Sequence, residues 1–355
     1  MDKIQWRCAR HNDLNARTTI HWRNNSVPVA FTAVPDVSVV LLNWNSYPIV
    51  LEAATAAVEQ SGVSVELIIV DNGSNDESLP ALRRQFPKAR FIEMGFNSGF
   101  TGGMNAGTEA AQGEFVLWLN ADLVLASDYC SRGVATMRAD PTIGAVGGLV
   151  SRLVDGRRTD VFDAAGYTVS PAHRARFVPP GTEQDVVGVS GSCPLFRRAT
   201  LNDLRETVGY ALDPWYFAYG EDIDVMLRLN LRGWRVRFLP ASKAWHVRSQ
   251  STVAASRFYE KPGMTQVHHF KNRLATIIKT MPRGALLRRL PALVGIELAM
   301  PAFLLTRRPS SVRHWMKAWT LVVREWRRLV RDRRLIQRTA PDAARQRLMR
   351  LLWHG

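Results

Sequence analysis

Cysteine is scarce in this 355-residue chain, which has only Cys8, Cys130 and Cys193. The three residues lie far apart in the sequence and form no CxxC pair. This spacing argues against a structural zinc site and against a disulfide framework. The scarcity of cysteine therefore suits a protein of a reducing compartment.

Long apolar runs are also lacking. The chain is polar through residue 26 and has no apolar central segment there, so the sequence predicts no secretory signal. Residues 290–305 are apolar, but Glu297 and two prolines make the run too short and too interrupted to predict a membrane span. With 46% apolar residues and a mean hydropathy of −0.13, the composition excludes a disordered chain and a multi-span membrane protein.

Acidic residues are few at the C-terminal end. Residues 281–355 contain 17 Lys and Arg against 4 Asp and Glu, a net charge of +13 out of +16 for the whole chain. The preceding 280 residues are therefore nearly balanced. A basic end of this kind is typical of proteins that bind nucleic acid, an anionic membrane or an acidic partner.

Residues 1–34 are polar without sustained periodicity and predict a loose extension. From residue 37 onward, apolar strand-like runs alternate with helical segments, which predicts an α/β fold with a mostly parallel sheet covered by helices on both faces. Each of the first four strands ends in polar residues. The carboxyl ends of parallel strands form the ligand-binding edge of such a sheet, so a binding site is predicted there. These polar strand ends are Asn43 with Asn45, Asp71, Asn97, and Asn120 with Asp122.

A glycine-rich turn over residues 95–107 leads from the third strand into a helix. Its backbone amides can accept a phosphate or a sugar nucleotide, or its glycines can serve a tight turn that needs positive φ. A dinucleotide fingerprint is disfavoured because it should follow the first strand. Asp71, at the second strand end, is a good acceptor for a base or ribose, although a simple Asx turn would also explain it.

Three acids, Glu221, Asp222 and Asp224, open a later helix beside four aromatic residues within 215–219. They can merely complement the helix dipole, or one of them can act as a general base towards a sugar hydroxyl. A small-residue turn at residues 190–192 precedes them. His246 follows a strand that is predicted to end near Leu239, and a lone histidine is more often structural than ligating.

The order of these motifs resembles the family 2 glycosyltransferases of the GT-A fold, particularly a rhamnosyltransferase-like bacterial branch in cell-surface polysaccharide assembly. The resemblance covers residues 37–273. It is carried by "VVLLNWN", "IIVDNGSND", "NSGFTGGMNAG", "WLNADLVL", "GVSGSCPLFRR", "YGEDIDVMLRL" and "AWH". Seven motifs in this order are far more specific than any one of them.

The resemblance implies roles for individual residues. The positions implied to bind the donor nucleotide are Asn43, Asn45, Asp71, Asn97, Gly99, Gly102, Asn105 and Asn120. The positions implied to contact the transferred sugar or the acceptor are Ser190, Gly191, Ser192, Trp215, Tyr219 and Glu221. Asp222 matches the catalytic base. Asp122 and His246 match ligands of a divalent cation on the donor diphosphate.

The chain departs from the family pattern at Asn120, where the DxD-type element normally begins with an acid. An amide contributes no charge, so weaker metal affinity is expected. Mg²⁺ and Mn²⁺ are the candidate cations, and His246 favours Mn²⁺ slightly. One base without a second carboxylate as nucleophile predicts inversion. The QxxRW element and spanning helices of processive synthases were not found, which favours single-sugar transfer.

Residues 311–331 form an amphipathic pattern on a helical wheel. The apolar face comprises Val312, Trp315, Trp319, Val322, Trp326 and Leu329. The opposite face comprises Arg313, Lys317, Arg324, Arg327, Arg328 and Arg331. This pattern favours a helix in an anionic membrane interface, with packing on the catalytic domain as the alternative. Nucleic acid is disfavoured because no reader fold is recognised.

The sequence thus predicts an extension at 1–34, a catalytic domain at 35–273 and a basic helical region at 274–355. The expected activity is transfer of one sugar, with rhamnose as the first candidate, from a nucleotide diphosphate sugar to a saccharide or lipid-linked acceptor. The expected location is the cytoplasmic face of the plasma membrane, reached through residues 290–331, and a homodimer is compatible with it. The alternatives are a galactosyl- or other hexosyltransferase, or a non-catalytic sugar-nucleotide- or membrane-binding module.

Overall fold

The structure is a computed structural model that describes residues 34–170, 172–247 and 258–353. The extension predicted at residues 1–34 lies outside the described residues, except for its last residue. The predicted strand and helix alternation is confirmed over the first part of the chain. The elements there are β1 (Val37–Asn43), α1 (Ile49–Val58), β2 (Val65–Asp71), α2 (Ser78–Gln85), β3 (Arg90–Glu93), α3 (Gly99–Ala110), β4 (Phe115–Asn120) and β5 (Leu123–Leu125).

The fourth predicted strand is in fact two strands, because the chain turns at Ala121 and Asp122 between β4 and β5. The following elements complete the sheet and its helices. They are α4 (Tyr129–Ala139), β6 (Ile143–Val154), β7 (Arg157–Ala164), β8 (Gly166–Val169), β9 (Ala175–Phe177), β10 (Gln184–Asp185), β11 (Gly188–Val189), β12 (Leu195–Arg197), α5 (Arg198–Val208), α6 (Glu221–Leu231) and β13 (Arg235–Val247). Two short 3₁₀ turns span Pro214–Tyr216 and Phe258–Glu260.

The main sheet has the strand order β10-β13-β6-β12-β4-β1-β2-β3, with β5 paired to β13 and β7 paired to β6. The pairs β3-β2, β2-β1, β1-β4 and β6-β13 are parallel, whereas β12 runs antiparallel between β4 and β6. A smaller sheet has the order β11-β8-β9. The sheet is therefore mostly parallel, as predicted, with one antiparallel strand in its middle.

The two faces of β1 contact different hydrophobic clusters, because side chains alternate along a strand. Val39 and Leu41 pack towards α1 and α4, whereas Val40 packs towards α3 and α6. Helix α3 lies directly on the sheet. A Cβ at Gly107 would meet the Val40 side chain at 2.2 Å, so only glycine allows this approach.

Five helices form the C-terminal region: α7 (Gly263–Thr280), α8 (Arg283–Arg307), α9 (Ser310–Arg324), α10 (Trp326–Thr339) and α11 (Asp342–Trp353). Residue 273, the predicted end of the catalytic domain, lies inside α7. Buried ion pairs fasten this region to the sheet domain. Lys279 of α7 contacts Asp213 at 2.8 Å and Asp224 at 2.9 Å, and Arg328 of α10 contacts Asp213 at 3.0 Å.

The tryptophan face predicted for residues 311–331 packs against protein. The segment is two helices that meet at Glu325, and Val322 and Leu329 are fully buried. Trp315 and Trp319 both donate their indole N–H groups to Glu297 of α8, at 3.1 and 3.0 Å. Packing against protein therefore accounts for most of this face, while Trp326 is 52% exposed, and the location of the face in a membrane interface stays a prediction. The apolar residues cover α7 and α8, and the packing alternative describes them.

Helix α8 differs because many of its apolar residues are exposed. Its outward residues are apolar and exposed: Leu287, Leu290, Val294, Leu298 and Leu305. Among the described residues it is the one helix long and apolar enough to cross a membrane, judged by length and composition only. It contains Pro291 and Pro301 within its 25 residues. The interrupted run at residues 290–305 is thus one continuous helix whose outer side is apolar.

Candidate active site

The ends of β1 and β2 are joined by a buried amide–carboxylate pair. Parallel pairing places Asn43 opposite Asp71, and Asn43 Nδ2 donates to Asp71 Oδ1 at 2.8 Å. The same amide nitrogen lies 2.8 Å from Ser78 Oγ and 3.0 Å from Ser74 Oγ. Both Asn43 and Asp71 are buried. The pair therefore lies beneath the loops at the carboxyl ends of β1 and β2. Asp71 Oδ2 also accepts the backbone N–H of Ser74, three residues on, and not the bond two residues on that defines an Asx turn.

The loop after β1 is held to the loop after β2. Asn45 has a φ of +49° and its Oδ1 accepts the backbone N–H of Asn75 at 2.8 Å, while its own N–H donates to Ser74 Oγ. Asparagine tolerates this left-handed backbone better than most residues. The two loops form one exposed rim beside the buried Asn43–Asp71 pair.

Backbone N–H groups of the glycine-rich turn are bonded to other protein groups. Asn97 Oδ1 accepts the Gly99 N–H at 2.9 Å, and the Thr101 N–H donates to the Phe217 carbonyl at 3.1 Å. Gly99 has a φ of +77°, and a Cβ there would meet the Phe217 oxygen at 2.4 Å. A Cβ at Gly102 would likewise meet Ser98 Oγ at 2.6 Å. The tight-turn interpretation therefore describes the geometry of Gly99, whose amide is already bonded.

Asn105 lies one and a half turns further along α3. Its Nδ2 donates to the Leu212 carbonyl at 2.8 Å, and its Oδ1 accepts the Leu212 N–H at 3.0 Å. Both ends of the amide are thus bonded to one backbone position. In this structure Asn105 holds the segment that leads into α6 against α3.

Asp122 and His246 meet at the turn between β4 and β5. Strand β13 continues through a register irregularity after Leu239 to Val247, so His246 lies inside a strand and not beyond its end. Antiparallel pairing places His246 opposite Leu123, and its Nε2 lies 2.8 Å from Asp122 Oδ2. The fold therefore brings together two residues that are 124 positions apart.

A second carboxylate lies on the other side of His246. Asp163 of β7 is 3% exposed, and its Oδ2 lies 2.9 Å from His246 Nδ1. Burial lowers the pKa of His246, but hydrogen bonds to Asp122 and Asp163 and the charges of both acids outweigh it and raise the pKa to about 9. Without a bound cation, the ring is therefore an imidazolium that donates to both carboxylates at neutral pH, and a cation at Nε2 would take the place of that proton.

The chemistry of this cluster suits a divalent cation that is shared with a phosphate ligand. Asp163 binds Nδ1 and leaves Nε2 directed towards Asp122, which is the usual arrangement behind a metal-ligating histidine. Within the described ranges, no group of three or more His, Cys, Asp or Glu side chains is arranged to hold a metal by itself. Asp122 and His246 can supply two ligands, and Mg²⁺ or Mn²⁺ would take the remainder from phosphate and water.

A chain of contacts links this cluster to α6. The Asn120 N–H donates to the Ser192 carbonyl at 3.0 Å, which ties the end of β4 to the small-residue turn. The Ser190 and Ser192 hydroxyl groups lie 2.7 Å apart. A Cβ at Gly191 would meet the Asp222 Cβ at 2.7 Å, so glycine allows Asp222 to lie against the turn. The predicted metal ligands and the predicted base therefore border one site.

Asp222 and Glu221 are two carboxylic acids with few compensating partners. Burial raises the pKa of Asp222, although backbone N–H groups of Ile223 and Gly191 oppose the rise. Burial, together with the charge of Asp222, raises the pKa of Glu221 to about 8. No hydrogen-bond partner for Glu221 Oε2 exists among the described residues. At neutral pH the pair therefore retains a proton.

The aromatic residues within 215–219 have different surroundings. Trp215 faces the buried cations, with Lys271 Nζ 3.9 Å and the Arg328 guanidinium 5.3 Å from its ring centre. Tyr219 is 42% exposed and stacks on His269 with ring centres 4.7 Å apart. Of the two, only Tyr219 offers an open aromatic surface beside α6.

Three residues of the site escaped the sequence analysis. Asn72 bridges two loops, since its Oδ1 accepts the Ser98 N–H and its Nδ2 donates to the Gly99 carbonyl. Its position directly after Asp71 was a signal for it. Asp163 and His269 gave no such signal, because each reaches the site through the packing of elements distant in sequence.

The comparisons with known proteins support the fold. The Glycosyl transferase family 2 model matches residues 38–205. The crystal structure of S. aureus TarS 1-349 in complex with UDP-GlcNAc superposes with a TM-score of 0.56, covering 86% of this chain and 91% of that one at 15% identity. Mannosyltransferase PcManGT from Pyrobaculum calidifontis, in complex with GDP-Man and Mn²⁺, gives 0.52, with 91% and 89% covered at 18% identity. The chain has the GT-A fold, and its residues 38–205 are similar to the Glycosyl transferase family 2 model.

Two relatives are similar in sequence. The succinoglycan biosynthesis protein ExoO of Rhizobium meliloti is 34% identical over 140 residues, which cover 39% of this chain and 40% of that protein. N-acetylglucosaminyl-diphospho-decaprenol L-rhamnosyltransferase of Mycobacterium tuberculosis is 28% identical over 220 residues, which cover 53% of this chain and 68% of that protein. The match thus spans less than half of the first relative and about two thirds of the second.

Proposed function

We propose that the protein transfers a single sugar from a nucleotide diphosphate sugar to an acceptor hydroxyl with inversion at the anomeric carbon. The observation that carries this proposal is the continuous set of contacts from Asp122 and His246 through Ser192 and Gly191 to Asp222. In the proposed arrangement, a diphosphate would lie at Asp122 and His246, and the base Asp222 would lie on the other side of the transferred sugar.

The donor would lie along the carboxyl edge of β1, β2 and β4. The rim formed by Asn45 and the adjoining loops would contact the nucleoside, above the Asn43–Asp71 pair. Asp122 and His246 would hold Mg²⁺ or Mn²⁺ on the diphosphate. When bound, this cation would stabilise negative charge on the leaving oxygen.

Asp222 would act on the opposite side of the sugar. Its carboxylate would accept the proton of the acceptor hydroxyl as the new glycosidic bond forms and the bond to the diphosphate oxygen breaks. A raised pKa favours a base because it brings the proton affinity of the carboxylate closer to that required. Protonated Glu221 beside it would lower the repulsion between the two acids.

The sugar and the acceptor follow from the relatives by analogy. Rhamnose is the first candidate because the Mycobacterium tuberculosis relative is named a rhamnosyltransferase, and other hexoses are the alternative. A saccharide or lipid-linked acceptor in bacterial cell-surface polysaccharide synthesis would place the protein at the cytoplasmic face of the plasma membrane. The exposed side of α8 supports this peripheral location, and a homodimer is compatible with it.

The decisive experiment is a panel of nucleotide diphosphate sugars incubated with the full chain, with and without Mn²⁺. We expect one donor to be hydrolysed or transferred faster than the others, with stimulation by Mn²⁺. NMR of the product should show the anomeric configuration opposite to that of the donor. Retained configuration would exclude the proposed displacement. Binding without turnover of any donor would favour a non-catalytic sugar-nucleotide-binding module.

A further inference from the structure

A cavity of about 470 Å³ lies beside the first turn of α6, and the proposed donor site does not use it. Its walls come from the β8–β9 turn, from α6, from α7 and from α8. Gly220 and Ile223 of its lining flank Glu221 and Asp222 in the chain. The volume lies within the range of about 300–1,000 Å³ that is usual for small-molecule sites.

Three nitrogen-bearing side chains in this cavity have unmet hydrogen-bonding capacity among the described residues. His173 is 5% exposed, and neither of its ring nitrogens has a partner there. Arg273 Nη2 and His269 Nε2 are also buried without one. A buried polar group that is left unpaired costs about 1–3 kcal/mol. Arg273 Nη2 is a donor, and each neutral imidazole donates through one of its two nitrogens, so the cavity suits a ligand that accepts hydrogen bonds.

The guanidinium of Arg273 is held in a fixed orientation. Its Nε donates to the Ala172 carbonyl at 2.9 Å, and its Nη1 donates to Glu297 Oε1 at 2.6 Å. Glu297 pairs with Arg273, and Arg174 of the β8–β9 turn also lines the cavity. Burial, with the charges of Arg273 and Arg289, lowers the pKa of His173 to about 3, so its ring is neutral. The lining therefore combines two guanidinium groups with imidazole rings, and these groups can donate hydrogen bonds to a phosphate oxygen.

The remaining wall is apolar and leads to the exposed side of α8. Ile296 and Met300 of α8 and Phe270 of α7 face the cavity. On its outer side the same helix exposes Leu287 and Leu298, at 71% and 76%. A ligand with a charged end at Arg273 and a hydrocarbon portion along Ile296 and Met300 would satisfy both parts of the lining.

We propose that this cavity binds the phosphate-bearing end of an acceptor that is an ester of a long apolar alcohol. The sugar of the acceptor would extend past Tyr219 to Asp222, and its hydrocarbon chain would leave along α8 towards a lipid phase. The assignment rests on the proposed function, because it names the acceptor class of that same site. Phosphate recognition here is separate from the donor diphosphate at Asp122 and His246.

The test is calorimetric titration of the full chain with farnesyl phosphate, with the donor site saturated by the preferred nucleoside diphosphate and Mn²⁺. Inorganic phosphate and farnesol are titrated in parallel. We expect farnesyl phosphate to bind at least about tenfold more tightly than either, because only it fills both parts of the cavity. Equal affinity for inorganic phosphate would show a free-anion site, and equal affinity for farnesol a purely apolar one. Either result would overturn the proposal.

Two substitutions locate the binding. Arg174→Ala and His173→Asn should each weaken farnesyl phosphate binding about tenfold or more. Arg176→Ala is the matched control, because it removes an exposed charge from the neighbouring strand β9 without touching the cavity lining. Melting temperatures report whether each variant is folded. Undiminished affinity in both cavity variants, with melting temperatures unchanged, would place the ligand elsewhere.

The two proposals can fail separately. A wild-type chain that hydrolyses a nucleotide sugar but does not bind farnesyl phosphate would contradict the cavity assignment alone. A chain that binds farnesyl phosphate in the mutation-sensitive manner, but neither binds nor hydrolyses any nucleotide sugar, would contradict the proposed transferase and leave a phospholipid-type binding cavity.

Discussion

The two sides of the candidate site differ in how their polar groups are satisfied. On the proposed donor side, the strand ends bond to one another, as in the Asn43–Asp71 pair and the Asn97–Gly99 turn, although Asn43 Oδ1 has no partner among the described residues. On the acceptor side, Glu221 Oε2 and both His173 nitrogens have no partner among the described residues. The proposed donor side is therefore held mainly by bonds between its own residues, whereas the proposed acceptor side keeps several buried polar atoms available for a substrate. From this difference we expect substitutions on the donor side to act mainly on stability and the substitution of Asp222 to act on turnover.

The largest effect is expected from Asp222→Asn. Transfer should fall about 10²–10⁴-fold, because the amide cannot accept the acceptor proton, while donor affinity persists. Steady-state transfer and calorimetry with the nucleotide separate the two. Asp160→Asn, an exposed acid of β7, is the charge-matched control and should leave transfer unchanged. Near-normal turnover of Asp222→Asn would show that Asp222 is not the base, and the expected difference between the two sides would be lost.

The second effect concerns Asp163. Asp163→Asn keeps the shape of the side chain but weakens the charge-assisted hydrogen bond to His246 Nδ1, so Mn²⁺ affinity should drop about 10–100-fold. Calorimetry of Mn²⁺ binding in the presence of nucleoside diphosphate measures this without reference to turnover. Unchanged Mn²⁺ affinity would mean that Asp163 only packs beneath the histidine.

The third effect should appear in stability. Asn43→Ala removes a donor to Asp71, Ser74 and Ser78 inside the protein, and the free energy of unfolding should fall by about 1–3 kcal/mol. Ser190→Ala should cost less, because that hydroxyl is only partly buried and its side-chain partner is Ser192. Chemical denaturation of both variants makes the comparison. Equal losses would mean that the two sides are satisfied alike.

The smallest effect is a pH dependence. The pKa of Glu221 is about 8 in the folded protein, above its ordinary value of 4.5, so the folded state binds the extra proton between these values. The contribution of this group to stability is present below about pH 4.5 and is lost as pH rises towards 8. Glu221→Gln should remove that decline in the denaturation midpoint. Parallel pH profiles for variant and wild type would show that Glu221 titrates normally.

Much of the fold could be predicted because it follows from the local pattern of apolar and polar residues. Apolar runs ending in polar residues predicted β1 to β4 and the carboxyl edge, and the structure confirms the α/β sheet and the helical, basic C-terminal region. The β4–β5 break at Asp122 and the extension of β13 to His246 escaped prediction. Both depend on pairing between strands far apart in sequence, which periodicity does not report.

The amphipathic tail shows the limit of a helical wheel. Its pattern predicts an apolar face but not what covers that face, since lipid and protein are both apolar surroundings. The structure places Trp315 and Trp319 against Glu297, whose carboxylate accepts both indole N–H groups. Helix α8 also leaves an apolar surface open, and there prolines and a glutamate obscured the pattern in the sequence.

By itself, the sequence determined the class of fold, the polar residues at which the first strands end, and the candidate acids Asp122 and Asp222. These features depend on residue type and short-range periodicity. Only the tertiary structure decided their partners. It joined His246 to both Asp122 and Asp163 and placed Asp222 against Gly191. It also formed a cavity from four separate elements and lined it with hydrogen-bond donors. The physical reason is that burial and charge at each group depend on which distant segments pack beside it.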